Sequence, residues 1–421
     1  MPTHPAIQRI RAAIQQDSFA SGVCKVSVEQ CSLYYRTDDK SAAHYINLAK
    51  ASEGELLDLL NACDAAPFGR GTETVVDETY RKALKLDLSQ FALSFDLAGT
   101  HIVAKIKQDL VDSDAAIRRV VRAEPYKLNI YDKGAFFKAH QDTPRSHDMF
   151  GSLVIVFPTA HEGGQLVLSE GEEQWSFDST EMLHASTPEA PEISWVAFYS
   201  DTPHEVLPVT SGTRVTLTYN LYFDEVTTSL SSLTNDANAR YAAIKSSLQE
   251  YIDYSKVFES KQGVLCFALS YLYSIKQEHK NDFGYQVEEL SRFLKGGDAL
   301  LFAVCRDLGL KTSISIMYKR PTYEGLKSVT RRYLAETPLL DDENLEEDSD
   351  WMYRNFERID EYEPKFRWIT QAPKKFRHEG NRLYAAFLTF GNEAQLEYTY
   401  GSLCIVARSP VWEPPSKAEK K

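Results

Sequence analysis

Hydrophobic residues follow a helical spacing over much of the first 121 residues of the chain. Three segments place apolar side chains three or four positions apart, which predicts helices at residues 5–17, 52–66 and 101–121. Ser52 and Glu55 have the spacing of a capping box, in which the two side chains satisfy backbone N–H groups at the start of a helix. Alternating residues at 23–35 predict a pair of strands after the first helix.

Between Tyr126 and about Phe223 the helical spacing gives way to short runs that alternate or are wholly apolar. Turn residues separate these runs, which are YKLNIY, FFKAH, GSLVIVF, GQLVLS, QWSFD, SWVAFYS, HEVLPV and TRVTLTYNLYF. So many short strands without helices between them predict an antiparallel jelly roll, whose two sheets leave an open mouth between them.

After Phe223 the pattern becomes mixed. Residues 227–239 are rich in Ser, Thr and Asn and predict a linker, whereas 237–252 predict a helix. Residues 287–309 predict two further helices, and strands are predicted at CFALSYLYS, TSISIMY, LYAAFLTF and SLCIVAR. The acidic run at 341–350 predicts a solvated loop, because like charges at this density repel one another and stay hydrated.

These patterns together predict an α+β chain with three parts. Residues 1–121 are expected to form a region of helices and strands that packs on the core, and residues 122–224 to form the jelly-roll core itself. Residues 225–421 are expected to form a mixed α/β region. A partner-binding domain, a substrate-docking domain and a cap over the mouth are all compatible with this third part.

Composition places the chain among folded proteins with an acidic surface. Hydrophobic residues make up 43% and aromatic residues 12% of the chain, which is enough to bury a sizeable core. The formal charge of −13 disfavours nucleic acid and anionic membrane as partners, because both would be repelled. The 6 cysteines are scattered without a C-x-x-C pair, and we find no apolar run of signal-peptide or membrane-span length. We therefore expect reduced thiols and an intracellular location, in the cytoplasm or the nucleus.

The strand-rich block contains a set of residues suited to holding iron. His140 and Asp142 lie two positions apart, so both would face the same side of an extended strand, and His204 follows later in the block. Two imidazoles and one carboxylate are the donor set of non-haem Fe(II) oxygenases, in which they occupy one face of the metal and leave the other face open. The sequence thus predicts a metal site at these three residues.

Arg214 follows His204 on the next predicted strand and predicts a site for a dicarboxylate co-substrate. 2-Oxoglutarate chelates iron through its keto acid end, and its far carboxylate then lies inside the fold, where an unpaired charge is very costly. The planar guanidinium of arginine can bind such a carboxylate with two parallel hydrogen bonds.

The wider motif combines these residues with glycines and a tyrosine in a fixed order. It reads Tyr131, Gly134, His140 and Asp142, then Gly163-Gly164-Gln165-Leu166, then Pro203-His204-Glu205-Val206 and Arg214. This order resembles the iron- and 2-oxoglutarate-dependent dioxygenases of the prolyl-4-hydroxylase type. The resemblance covers roughly residues 122–224 of the chain.

The resemblance implies a double-stranded β-helix fold and an enzyme that uses Fe(II), 2-oxoglutarate and O2, with ascorbate as a typical reductant. It assigns His140, Asp142 and His204 to iron and Arg214 to the far carboxylate of 2-oxoglutarate. The implied reaction hydroxylates an organic substrate and releases succinate and CO2. A protein or peptidyl residue such as proline is the favoured substrate.

The resemblance also implies roles for residues around the co-substrate. Tyr131 matches a strand position whose hydroxyl commonly helps to hold 2-oxoglutarate, and Asn129 points the same way. Thr216 adds a hydroxyl beside Arg214. Gly163-Gly164 matches the turn before a strand that covers the site, although a simple hairpin explains the two glycines equally well.

Three alternatives stay open at this point. One is a hydroxylase whose substrate is a small metabolite. Another is a nucleic-acid demethylase of the alkylation-repair type, but such enzymes carry a second arginine six residues after the co-substrate arginine, and Asn220 occupies that position here. A third is a jelly-roll binding protein whose metal site is vestigial. The oligomeric state is also open.

Other histidines of the block are weaker candidates for iron. His147, His161 and His184 lack a carboxylate at matching spacing together with a downstream arginine. Arg145 and His147 are instead placed to contact a substrate at the mouth.

Overall fold

A computed structural model describes residues 4–36, 43–70, 73–111, 119–225, 235–259, 263–276, 287–324, 327–335, 357–359, 366–370, 390–392 and 398–411. The α-helices in these ranges are α1 Pro5–Ile14, α2 Glu53–Asn61, α3 Ile102–Ile106, α4 Ser179–Met182, α5 Asn235–Ser255 and α6 Gly296–Asp307. Short 3-10 segments cover Glu29–Cys31 and Val287–Phe293, and a π-helical turn at Lys107–Val111 continues α3. Of the described helices, none combines the length and the apolar character that a membrane span requires.

Strands occur in all three parts of the chain. The first part has β1 Phe19–Lys25, β2 Ser32–Arg36, β3 Ala43–Asn47, β4 Asp64–Ala65, β5 Phe68–Arg70, β6 Glu73–Val75, β7 Arg81–Lys82, β8 Leu84–Asp87 and β9 Phe91–Leu93. The central part has β10 Arg119–Tyr131, β11 Phe136–His140, β12 Met149–Val156, β13 His161–Gly163, β14 Leu166–Glu170, β15 Glu173–Phe177, β16 Glu192–Tyr199, β17 His204–Val206, β18 Val209–Gly212 and β19 Arg214–Glu225. The last part has β20 Val264–Lys276, β21 Lys311–Glu324, β22 Lys327–Ala335, β23 Glu357–Ile359, β24 Phe366–Thr370, β25 Phe390–Gly391 and β26 Tyr398–Arg408.

The largest sheet has seven strands in the order β1-β16-β12-β19-β10-β8-β4, and its neighbouring strands are antiparallel. Its long central pair, β10 and β19, runs in register to Tyr131 opposite Arg214. The register shifts once, between Pro125 and Lys127. Proline has no backbone N–H to donate, so an irregularity of the ladder is expected beside it.

A second sheet, with five strands in the order β15-β14-β17-β11-β7, covers one face of the seven-stranded sheet. Buried residues of both sheets form one hydrophobic cluster between them, with Tyr131 and Phe198 from the large sheet and Phe137, Leu166 and Val206 from the small one. The inside of this two-sheet sandwich is where the candidate site lies.

The opposite face of the seven-stranded sheet is covered by helices from both ends of the chain. Along β12, Leu153 and Ile155 point into this outer core, whereas Val154 points toward the sandwich interior, as the alternation of a strand requires. The outer core also contains Ile10 of α1 and Leu301 of α6. The hydrophobic core therefore crosses both predicted boundaries, at 121 and at 224, and the division into three domains stays a prediction.

The C-terminal region forms a sheet of its own and also reaches back to the sandwich. Six strands pair in the order β23-β22-β21-β26-β20-β24, in which β20 and β24 run parallel. Strand β25 lies apart from this sheet and pairs with β5, with Phe390 opposite Arg70.

Several predicted elements are confirmed. The first predicted helix is α1, and α2 begins after Ser52 with the complete capping box to Glu55. The predicted strands of the central block are present, except that HEVLPV is divided between β17 and β18. The buried strand predicted at CFALSYLYS is part of β20. Of LYAAFLTF, only Phe390 is described, and the acidic run at 341–350 lies outside the described residues.

Other predictions were wrong. The helix expected at 101–121 ends by Val111 in the described residues, and Arg119–Val121 belong to β10, where a β-branched pair favours the extended backbone. The strand pair expected at 23–35 does not form, because β1 pairs with β16 and β2 pairs with β3 and β9. The predicted linker overlaps α5, which begins at Asn235. The first of the two helices expected at 287–309 is a 3-10 segment.

Candidate active site

Three predicted metal ligands converge inside the sandwich. His140 ends β11 and is paired directly with His204 at the start of β17, which brings their ring centroids to 4.2 Å. Asp142 follows the end of β11, and its backbone N–H donates to Ser200 O at 3.1 Å. The ligand atoms of the three residues all lie within 4.8 Å of one another, and all three residues are buried. Among the described residues this is the group whose geometry suits a metal ion.

Backbone carbonyls orient both imidazoles. Nδ1 of His140 lies 2.9 Å from Lys138 O, and Nδ1 of His204 lies 3.0 Å from Thr202 O. A carbonyl only accepts, so each Nδ1 carries a proton, and Nε2 is the nitrogen available to a metal. Nε2 of His204 lies 3.9 Å from Oδ1 of Asp142, so these two atoms face a common point. This donor set fits Fe(II).

Burial favours the neutral form of His140 that a metal requires. Desolvation lowers the pKa of His140 well below its ordinary value, and the neighbouring His204 lowers it further. The ring of Phe137 stacks on His140 at 3.5 Å between centroids and closes it from water on one side.

The carboxylate of Asp142 is held at both oxygens. Ser152 on β12 donates its hydroxyl to Oδ2. Asn392, which directly follows β25, donates its Nδ2 to Oδ1 at 2.6 Å and accepts from the backbone N–H of Thr143 at 3.0 Å. The C-terminal region thus contributes a side chain to the metal centre, from 250 positions away in the sequence.

Arg214 begins β19 and is among the largest fully buried side chains of the molecule. Its Nε has no hydrogen-bond partner, and within the described part of the chain it forms no ion pair with a carboxylate. Burial lowers the pKa of Arg214 to about 10, partly offset by Tyr131 and Asp178. A buried guanidinium without a counter-charge is very costly, so this geometry fits an anionic ligand such as the far carboxylate of 2-oxoglutarate.

Gly164 explains part of the glycine motif. It has a φ of +70°, and a Cβ added to it would lie 2.8 Å from Cδ of Arg214. A side chain here would displace the guanidinium, so Gly164 keeps space for Arg214 as well as forming a turn before β14.

The other predicted co-substrate residues line the same pocket but differ in the hydrogen bonds that their side chains already form. Tyr131 is paired with Arg214 across β10 and β19, and the Arg214 guanidinium lies 5.6 Å from the centre of its ring. The hydroxyl of Thr216 donates to the backbone carbonyl of Asn129 at 3.2 Å. Nδ2 of Asn129 donates to Thr218 at 3.2 Å. Tyr131 is therefore better placed than Asn129 or Thr216 to contact a co-substrate.

Arg81 on β7 is a second buried arginine of the pocket, and sequence reasoning missed it. Its Nη1 donates to Pro67 O at 2.7 Å and its Nη2 to Oδ1 of Asn129 at 2.9 Å. Its guanidinium lies 4.3 Å from the centre of the Phe137 ring, on which His140 stacks. Arg81 and the predicted metal ligand His140 thus contact the same aromatic ring.

The remaining histidines of the block do not join the metal group. His161 is bonded to Thr159 O at 2.7 Å and to the Ser179 hydroxyl at 2.8 Å, and His184 is exposed. His147 stacks on Phe293 with 5.8 Å between centroids. Arg145, predicted at the mouth, donates to the hydroxyl of Tyr126, which lines the pocket.

A match to a known family covers the residues that form this site. Residues 126–222 match the family model described as the 2OG-Fe(II) oxygenase superfamily. These residues belong to that superfamily, and the chain is a 2-oxoglutarate-dependent dioxygenase, for which the family implies Fe(II), 2-oxoglutarate and O2. The resemblance found in the sequence is thereby confirmed at the level of the superfamily. No curated protein matches the chain.

Solved structures that are similar to the chain include three bacterial or oomycete proteins. A Pseudomonas putida prolyl-4-hydroxylase has 19% identity and a TM-score of 0.30, covering 52% of this chain and 100% of that one. An oxidoreductase of the 2OG-Fe(II) oxygenase family from Burkholderia pseudomallei has 14% identity and a TM-score of 0.26, with coverages of 53% and 94%. A prolyl 4-hydroxylase from Phytophthora capsici has 15% identity and a TM-score of 0.24, with coverages of 62% and 82%.

Proposed function

We propose that this chain hydroxylates an organic substrate while 2-oxoglutarate and O2 are converted to succinate and CO2. The observation that carries the proposal is the buried Arg214, which forms no ion pair with a described carboxylate, beside three buried residues that can hold Fe(II). On the sequence motif, a peptidyl residue such as proline is the favoured substrate, and a small metabolite is the second candidate. We also assign the two facing sheets to a double-stranded β-helix, with the site in its mouth.

In this proposal, different side chains hold the metal and the co-substrate. His140, His204 and Asp142 would hold Fe(II) through two imidazole nitrogens and one carboxylate. Fe(II), when bound there, supplies the chemistry that activates O2. Arg214 holds the far carboxylate of 2-oxoglutarate by charge-assisted hydrogen bonds, and Tyr131 lies beside it.

Apolar residues of both sheets form one wall of the pocket and exclude water from it. Val154 and Phe198 line it from the seven-stranded sheet, and Leu166 and Val206 from the five-stranded sheet. Excluding water strengthens the contact between Arg214 and an anion, because the local dielectric falls. The wall thus supports co-substrate binding without specifying the substrate.

Succinate release by the full-length chain with Fe(II), 2-oxoglutarate and O2 tests the proposal. We expect His140→Ala to abolish release, and Arg214→Gln to raise the KM for 2-oxoglutarate roughly tenfold or more, since a charge-assisted contact is lost. Arg122→Gln is the matched control, because Arg122 forms ion pairs with Glu124, Asp148 and Asp224, which do not line the pocket. Equal release by wild type and His140→Ala would refute the proposal. Panels of prolyl peptides and small metabolites then identify the class that stimulates turnover.

A further inference from the structure

The described residues that line the pocket include more cationic than anionic side chains. Arg81 and Arg214 line it, whereas Asp142 is the acidic residue among its described lining residues. Fe(II) and the 2-oxoglutarate dianion cancel one another in charge, so loading the site with both leaves the excess of cationic side chains in place. This excess occurs in a chain whose net charge is −13.

Arg81 is a buried cation of the pocket that is not assigned to the co-substrate. The residue is 5% exposed, and both of its hydrogen bonds go to neutral oxygens, Pro67 O and Oδ1 of Asn129. Its Nε is buried without a hydrogen-bond partner, and in the described ranges no carboxylate forms an ion pair with it. Burying an uncompensated charge costs several kcal/mol, so a purely structural role for Arg81 would be an expensive one.

The surroundings of Arg81 fix it in one orientation. Pro67 O and Asn129 hold its two terminal nitrogens, and Asn129 is itself anchored on Thr218. Phe137 covers the guanidinium at 4.3 Å. An arginine restrained in this way loses little further entropy when it binds an anion, which favours recognition of a planar carboxylate.

We propose that Arg81 binds a carboxylate group of the substrate, and that this group lies close to the carbon that is oxidised. The inference rests on the proposed function for the fate of the bound acid, although the binding itself does not require turnover. The closeness follows because Arg81 and His140, a predicted metal ligand, both contact the ring of Phe137. A free organic acid and an acidic side chain of a peptide both supply such a carboxylate.

Thermal unfolding of the full-length chain, loaded with Mn(II) and saturating 2-oxoglutarate at constant ionic strength, tests the binding. Propionate is the probe and propionamide its neutral counterpart of the same shape. We expect propionate alone to raise the unfolding midpoint, and Arg81→Gln to weaken the apparent affinity for propionate roughly tenfold to a hundredfold. Arg122→Gln should respond like the wild type, because Arg122 lies outside the pocket.

Two further comparisons keep the test decisive. Arg81→Lys retains the charge but not the planar pair of donors, so a weakened response in this variant supports the proposal even where Arg81→Gln does not fold. The apparent affinity for 2-oxoglutarate itself should be unchanged in Arg81→Gln and weaken roughly tenfold or more in Arg214→Gln, which separates the two arginine sites. Absence of succinate release would refute the proposed hydroxylase activity and leave this binding result standing.

The source of the carboxylate is identified with matched acids and amides. L-Proline is compared with prolinamide, and acetyl-Pro-Glu-amide with acetyl-Pro-Gln-amide. An Arg81-dependent preference for either acid supports the proposal and names the source. Equal responses to propionate and propionamide would overturn the proposal. So would a propionate response that persists in Arg81→Gln, or a stronger Arg81-dependent response to a 5′-phosphorylated dinucleotide than to propionate.

Discussion

The carboxylate of Asp142 shows how single residues complete the metal centre. Ser152 and Asn392 donate to its two oxygens, so its orientation is fixed before any metal binds. Partners of this kind set the direction of a ligand and raise metal affinity. Asn392 is the more informative of the two, because it also binds the backbone of Thr143 and comes from the C-terminal region.

Replacement of Asn392 is expected to weaken metal binding. Asn392→Ala removes the donor to Oδ1 of Asp142, and we expect the dissociation constant for Co(II), followed by its visible absorption, to rise roughly tenfold or more. Asn61→Ala is the control, since Asn61 is exposed at the end of α2. An unchanged Co(II) affinity in Asn392→Ala would show that the hydrogen bond does not support the metal centre.

The sequence predicts some of these residues and not others for a physical reason. His140, Asp142, His204 and Arg214 have characteristic chemistry at characteristic spacing within one block of strands, so they can be recognised before the fold is known. Arg81 cannot be recognised in this way, because its place in the pocket depends on its contact with Asn129, which is 48 positions away.

At the scale of elements, a buried ion pair ties the loop before β17 to the C-terminal region. Asp201 lies in this loop, three residues before His204, and accepts from Nζ of Lys295 at 2.7 Å and from the backbone N–H of Leu272 at 2.8 Å. The side chains of the ion pair are each 3% exposed. The position of one metal ligand therefore depends on contacts with β20 and with the residue preceding α6.

Lys295→Met leaves the carboxylate of Asp201 buried without its cation. We expect a loss of about 3–5 kcal/mol in the free energy of unfolding, measured by urea denaturation. Lys245→Met breaks the half-exposed pair with Asp307 and should cost less than about 1 kcal/mol. Equal losses in the two variants would contradict the role given to the buried pair.

Secondary structure can be predicted where the sequence signal is local. Strand pairing cannot be predicted in this way, because it depends on distant parts of the chain. The capping box at Ser52 and the apolar run of β12 are readable in the sequence, because they depend on neighbours a few positions apart. The order of strands is not local. Strand β1 joins β16 at the edge of the large sheet, and no pattern within β1 specifies that partner.

At the scale of the whole molecule, one hydrophobic core joins all three predicted parts. Ile10, Leu153 and Leu301 belong to the same buried cluster. A fragment of residues 119–225 would lose β1, β4 and β8 from its largest sheet and the helices that cover the outer face. We expect this fragment to unfold without a cooperative transition by circular dichroism and to bind Co(II) more weakly than the full chain. Cooperative unfolding with full Co(II) affinity would instead establish the fragment as an independent domain.

The long sequence separation between Asp142 and Asn392 also has a consequence for protein synthesis. The ribosome adds about 5–20 residues per second, so the 250 residues between Asp142 and its partner take roughly 10–50 s to make. During that interval a nascent chain can already have paired β11 with β17, yet Asp142 still lacks the hydrogen bond from Asn392. We therefore expect the metal site to reach its full affinity only after the C-terminal region has been made.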